Sequence, residues 1–222
     1  MKLYLATDAL EDVRWAAQRA LIDGVVLPDA ALRDAASTEE AMTWLAEFAR
    51  AVAMPVFVTL AATSAEAAEM EAERLGRAAD TVVVQIPFTE PYIPLLHRLA
   101  QSGVRVAATF VGSAAQAMLA ERTGAAFVFV DVDRLDATGA DSARVIQDAR
   151  CLYDAMGAES NLVAVFPAAG RPLVACAVAG ADAAVVGTST LRALLAYPYT
   201  DQSLPDGARR PSQGERLRVT PS

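Results

Sequence analysis

The side chains best suited to chemistry in this chain are aspartates at the ends of short apolar runs. Asp8, Asp29, Asp131, Asp133 and Asp136 all fall in such positions. A carboxylate there can take or give a proton, and several together can offer hard oxygen ligands to a cation such as Mg²⁺. Asp131 and Asp133 alternate around Val132, so in an extended segment they would share one face. The plainer account is a solvated acidic rim, and no metal or cofactor is assigned. A second candidate is Gly187-Thr188-Ser189-Thr190, a glycine followed by hydroxyls at the opening of a helical stretch. Backbone N–H groups at such a point can hold a phosphate, with Gly187, Thr188 and Ser189 as the contacts. The plainer account is that Thr188 or Ser189 caps the last helix. The single histidine, His97, falls within a predicted helix and reads as an ordinary helix-face residue. Cys151 and Cys176 lack metal-ligand spacing and are expected as reduced, buried thiols.

The elements that must position these groups are regular. Strand candidates run over 2–6, 24–27, 55–60, 81–86, 104–110, 127–132, 161–166 and 183–187. They are rich in Val and Phe and mostly unalternating, as strands buried on both faces should be. Ala- and Glu-rich helical stretches lie between them. Ser37 with Glu40, and Thr63 with Glu66, have the capping-box spacing. Gly103, Gly124, Gly157 and Gly180 follow helical stretches, where a left-handed cap is wanted. Trp15, Trp44, Met42 and Met118 fall on helical periods and read as packing residues. Eight strand–helix units in about 200 residues predict a single-domain (β/α)₈ TIM barrel over 1–200. A doubly wound open sheet is the rival, but no GxGxxG follows the first strand. Residues 201–222, with three prolines and four arginines, read as a polar tail.

Composition narrows the partners. The chain has 222 residues and a formal net charge of −8. Such an acidic surface repels nucleic acid and anionic lipid, so neither nucleic acid nor membrane is an expected partner. No apolar run reaches spanning length, and no apolar stretch followed by a cleavage site opens the chain, so a cytoplasmic location is expected. Mean hydropathy is +0.29, and a homo-oligomer is expected to cover part of the apolar surface.

Four phrases point further: MKLYLATDAL at the start, IPFTE at 86–90, GSAAQAMLAERTGAAFVFVDVDRLDATG at 112–139 and VAGADAAVVGTSTLRALLAYP at 178–198. Together, from Met1 to about Asp201, they resemble the small-transaldolase family, which includes fructose-6-phosphate aldolase. The resemblance implies the barrel and a class I aldolase chemistry. In that chemistry a strand-4 lysine, within V-K-I-P, forms a Schiff base with a ketose carbonyl. Here the pattern reads Val84-Gln85-Ile86-Pro87, and Lys2 is the only lysine in the chain. A carboxamide nitrogen is not a nucleophile, because its lone pair is delocalised. Other matched positions differ as well. The acid/base aspartate after strand 1 falls on Ala6, with Asp8 nearby. The T-N-P-S turn reads Leu27-Pro28-Asp29-Ala30. The polar position of strand 3 holds Thr59, and the tyrosine or phenylalanine after strand 6 becomes Asp131. The serine and basic residue that grip substrate phosphate fall on Phe166 and Ala168. Thr109 matches a threonine that helps hold the catalytic water in the aldolase branch. Arg134 and Asp136 match R-[IL]-D and read as a structural pair.

Two readings follow. In the first, a transaldolase-like barrel of the carbohydrate-metabolism type has lost transaldolase and aldolase activity and serves in binding or assembly. In the second, an enzyme acts on a small carbonyl or sugar-phosphate substrate at the same mouth without a Schiff base. It would use Gln85, Thr109 and Thr59 to orient the substrate or a water, and Asp131 or Asp8 as acid or base. A mouth plugged by Phe166, Phe110 and Leu27 would favour the first.

Overall fold

The computed structural model describes residues 1–32, 37–62, 64–166, 172–197 and 199–200. Eight parallel strands close into a barrel in chain order: β1 (Lys2–Ala6), β2 (Gly24–Val26), β3 (Val56–Thr59), β4 (Val82–Pro87), β5 (Val106–Val111), β6 (Phe127–Asp131), β7 (Asn161–Val165) and β8 (Ala183–Gly187). The helices are α1 (Leu10–Ala17), α2 (Thr38–Val52), α3 (Ala65–Ala78), α4 (Ile93–Gln101), α5 (Ala114–Arg122), α6 (Val132–Ala137), α7 (Ser142–Met156), α8 (Leu173–Val178) and α9 (Thr188–Leu194). Every strand is followed by at least one helix, as the (β/α)₈ expectation required. The expected tail, 201–222, lies outside the described residues, as does Thr63.

Short polar side chains start several of the helices. Ser37, Ser64 and Ser113 each accept a hydrogen bond from the backbone N–H three residues on, at 3.2, 3.3 and 3.2 Å. Each such cap stabilises its helix by about 1 kcal/mol. At α3 the cap is therefore Ser64, one residue after the expected Thr63. Gly157 ends α7 in the left-handed region, with φ +66°, and the other three expected cap glycines also have positive φ.

Two apolar layers follow from strand alternation, one inside the barrel and one between strands and helices. Inside, Tyr4, Phe57, Phe127 and Phe129 form an aromatic cluster with ring centroids 4.8–6.4 Å apart. The interior is thus a packed core rather than a pore. Gly24, opposite Tyr4 in the β1–β2 register, makes room for that ring: a Cβ there would lie 2.9 Å from Tyr4 Cδ1 and 2.9 Å from the Pro55 carbonyl oxygen. Outside, Leu5, Val25, Val58, Val84 and Ile86 pack against helix residues such as Leu45, Phe48, Leu75 and Leu96. Complete burial of each large side chain is worth roughly 1.5–3 kcal/mol.

The N-terminal end of the barrel is stitched by carboxylates. Asp182 accepts from Arg150 Nη1 at 3.0 Å and from the Leu162 N–H at 2.7 Å, and Asp23 accepts from the Leu3 N–H at 2.9 Å. Lys2 is exposed at this end, where it pairs with Ala183 in the β1–β8 register.

Candidate functional site

The C-terminal ends of the strands form the mouth, where barrels of this architecture carry their sites. The inward-facing residues near the end of each strand follow from alternation and register, with Pro87 above Gln85 on β4. On β3 to β6 these are Thr59, Gln85, Thr109 and Asp131. On β7, β8, β1 and β2 they are Val165, Gly187, Ala6 and Val26. The mouth therefore has a polar arc facing an apolar one. The structure brings four of the five expected catalytic residues to this ring.

Gln85 and Thr109 are nearly sealed, with 5% and 6% of their surface exposed. Gln85 is inward because Val83, two residues earlier, belongs to the interior cluster, whereas Val84 and Ile86 face the helices. The same parity sets Thr109 above Ala107. Gln85 pairs with Thr59 on one side and with Ala107 on the other, so it lies between the two threonines. Gln85 Nε2 and Thr109 Oγ1 are buried with no hydrogen-bond partner. Among the described residues, the others in that condition are Thr81 Oγ1, next to the N-terminal end of β4, and Arg150 Nε. Arg150 still pairs with Asp154 and Asp182 at that opposite end of the barrel. An orphaned buried polar group costs about 1–3 kcal/mol, so two of them side by side at the mouth call for a partner.

Thr59 is half-buried and also lines a lateral cavity of about 460 Å³, with Leu27, Val58, Met42, Met70 and Glu71 among its walls. Glu71 Oε1 and Oε2 accept from the N–H groups of Ala61 and Ala62 at 3.0 and 2.8 Å, which fixes the chain leaving β3. The sequence shows no sign of this bond, since it joins residues ten apart across a loop.

Asp131 differs from its expected role. Val132–Ala137 is helical, so Asp131 and Asp133 do not share a face of an extended segment. Asp131 instead caps α6: Oδ1 accepts from the Arg134 N–H at 3.2 Å, and Oδ2 lies 3.1 Å from Arg134 Nε. Arg134 thus pairs with Asp131 rather than with the expected Asp136. Its guanidinium also lies 4.9 Å from the centre of the Phe110 ring. Phe110 has φ +60°, a conformation uncommon for a non-glycine residue, at a register shift between Ala108 and Val111. Phe110 continues the outward parity of Ala108, and 47% of it is exposed.

The remaining candidates are less engaged. Asp8 is exposed beyond β1, where the buried Thr7 hydroxyl accepts from the Ala9 N–H at 3.1 Å. Gly187 is extended at the start of α9, Thr188 is half-buried and Ser189 is exposed, and neither hydroxyl caps the helix. α9 has seven residues, and its basic residue, Arg192, is held by Asp12 at 3.1 Å and stacked on Trp15 at 4.0 Å. Among the described residues, no three His, Cys, Asp or Glu side chains converge to hold a metal ion. Phe166 and Leu27 are buried in the helix-facing core, and Phe110 faces outward, so these three do not plug the barrel. Ala168 lies outside the described residues. Cys176 is buried, and burial raises its thiol to about 11, whereas Cys151 is exposed, contrary to expectation. No helix among the described residues is long and apolar enough to cross a membrane.

The closed ring of eight parallel strands with helices between them defines a (β/α)₈ barrel. A likeness in fold exists to the crystal structure of 3-hexulose-6-phosphate synthase, with TM-score 0.62 and 21% identity, covering 88% of this chain and 100% of that one. The family model for Transaldolase/Fructose-6-phosphate aldolase matches residues 11–218, and the chain belongs to that family. Relatives include proteins named "Probable transaldolase" from Bartonella quintana, 30% identical over 92% of this chain and 93% of that one, and from Desulfotalea psychrophila, 29% identical over 92% and 94%.

Proposed function

We propose that this family member does not carry out Schiff-base transaldolase or aldolase chemistry, and that its barrel mouth serves to bind a ligand non-covalently. One observation carries the reading. The only lysine, Lys2, starts β1 at the end of the barrel opposite Gln85, and a five-residue strand places roughly 15 Å between the two faces. The engagement of Asp131 with α6 and Arg134 supports binding over acid–base catalysis. Exposed Val174 and Val178 on α8 support the expected homo-oligomer, and the acidic composition supports the absence of a nucleic-acid partner. The test is turnover: the purified chain, assayed for cleavage of fructose 6-phosphate and for transfer of its dihydroxyacetone unit, yields no aldehyde product. Measurable turnover removes the proposal.

A further inference from the structure

The lateral cavity beside β3 lies outside the barrel wall. Its floor is Leu27 and Val58, which face the helices, and its sides are one face each of α2 and α3. On α3 that face is Ala67, Met70, Glu71 and Arg74, spaced as one stripe of a helix. On α2 it is Thr38, Ala41 and Met42. Ala41 and Ala67 are short, which leaves room between the helices, and the cavity measures about 460 Å³. Met70 is 60% exposed over the apolar floor, and thioether chains such as those of Met42 and Met70 adapt to an apolar guest. We propose that this cavity binds a medium-chain aliphatic carboxylate, its hydrocarbon chain between Met42 and Met70 and its head group on Arg74.

Charge sets the head group and its place. The charged residues of the lining are Asp29, Glu71 and Arg74. Glu71 is spent, since its two oxygens accept from the N–H groups of Ala61 and Ala62. Arg74 is exposed and has no ion-pair or hydrogen-bond partner among the described residues, whereas Arg77 on the same helix is paired with Glu73. Asp29 stands at the other end of the cavity. It is exposed just beyond β2, at the C-terminal end of the barrel. Arg74 lies roughly 13 Å along α3 from Ala65, on a helix that runs back toward the N-terminal end. A Debye length of about 8 Å at physiological salt screens a carboxylate at Arg74 from Asp29. Arg33 and Asp34, in the neighbouring segment outside the described residues, are opposite in sign. The stretch between the two ends is walled by Leu27, Met42, Val58 and Met70, so it matches an alkyl chain and not a polyol.

The probe is octanoate, titrated into the full chain carrying methionine labelled with ¹³C at the methyl group. The Met42 and Met70 signals should shift saturably, with a millimolar or tighter dissociation constant, while those of Met54, Met118 and Met156 stay in place. Arg74→Gln should weaken octanoate about tenfold and leave octan-1-ol unchanged. Octylamine should bind at least about tenfold more weakly than octanoate. Ala67→Phe fills the cavity from an exposed position and should abolish the shifts at saturation. Arg74 and Ala67 are both exposed, and a folding failure of one variant leaves the other as the test. The assignment is overturned by unsaturable shifts or none at Met42 and Met70, or by equal shifts at all the methionines. Unchanged octanoate affinity in either folded variant, or tighter binding of octylamine, overturns it as well.

Discussion

Gln85 and Thr109 sit on neighbouring parallel strands, joined through the Gln85–Ala107 and Pro87–Thr109 pairs, and each buries a polar group that finds no partner. Adjacent unsatisfied groups cost stability, and a chain keeps such a cost where a ligand repays it.

That cost is measurable. Thr109→Val keeps the shape and removes the orphaned hydroxyl, so it should raise stability by about 1 kcal/mol, or Tm by roughly 2–4 °C. Gln85→Leu should move Tm in the same direction. Differential scanning calorimetry without ligand decides the matter, and a lower Tm for Thr109→Val would mean that the hydroxyl is already satisfied.

The barrel interior offers the opposite case. At Gly24 an added methyl meets the Tyr4 ring and the Pro55 backbone at 2.9 Å. The ring is locked against Phe57, and the carbonyl accepts from the Val25 N–H, so neither can retreat. Gly24→Ala should therefore cost about 2 kcal/mol and lower Tm by roughly 4–8 °C. Thermal unfolding followed by circular dichroism checks it, and an unchanged Tm would contradict the packing described.

Alkali should weaken the fold in a defined window. Burial raises the Tyr4 hydroxyl from 10.0 to about 12 and the Cys176 thiol from 9.0 to about 11, and it also raises Tyr153, whose hydroxyl donates to the Ala117 carbonyl at 2.8 Å. Each group ionises first in the unfolded chain. Its stabilising contribution is complete below the unfolded value and is lost as pH climbs through the folded one. Stability should hold to about pH 9 and fall between about 9 and 12. Tyr4→Phe should flatten that fall in urea titrations, and an identical profile would remove Tyr4 from the account.

Much of this was written locally in the sequence, and some was not. The eight strands were legible because strands buried on both faces need unbroken apolar runs, and Val82–Val84 and Phe127–Val130 are such runs. Gly157 was legible because a left-handed cap selects for glycine. Asp131 as a cap was not: Val132 continues the apolar run of β6, and the switch to helix is set by tertiary packing, with Val132 fully buried. Phe110 was hidden for a related reason. Its positive φ comes from a register shift with β6, a partner nearly twenty residues away, and no local signal marks a phenylalanine for it. The orphaned groups of Gln85 and Thr109 required the register itself.

The central claim is that no amine at the mouth can capture a carbonyl. The direct test is borohydride reduction of the chain in the presence of dihydroxyacetone, read by intact mass, with Gln85→Lys alongside. A lysine there would be buried, which lowers its pKa and favours the nucleophilic free amine. The account predicts no adduct on the native chain and a single adduct on Gln85→Lys. An adduct on the native chain, at any residue, would contradict it.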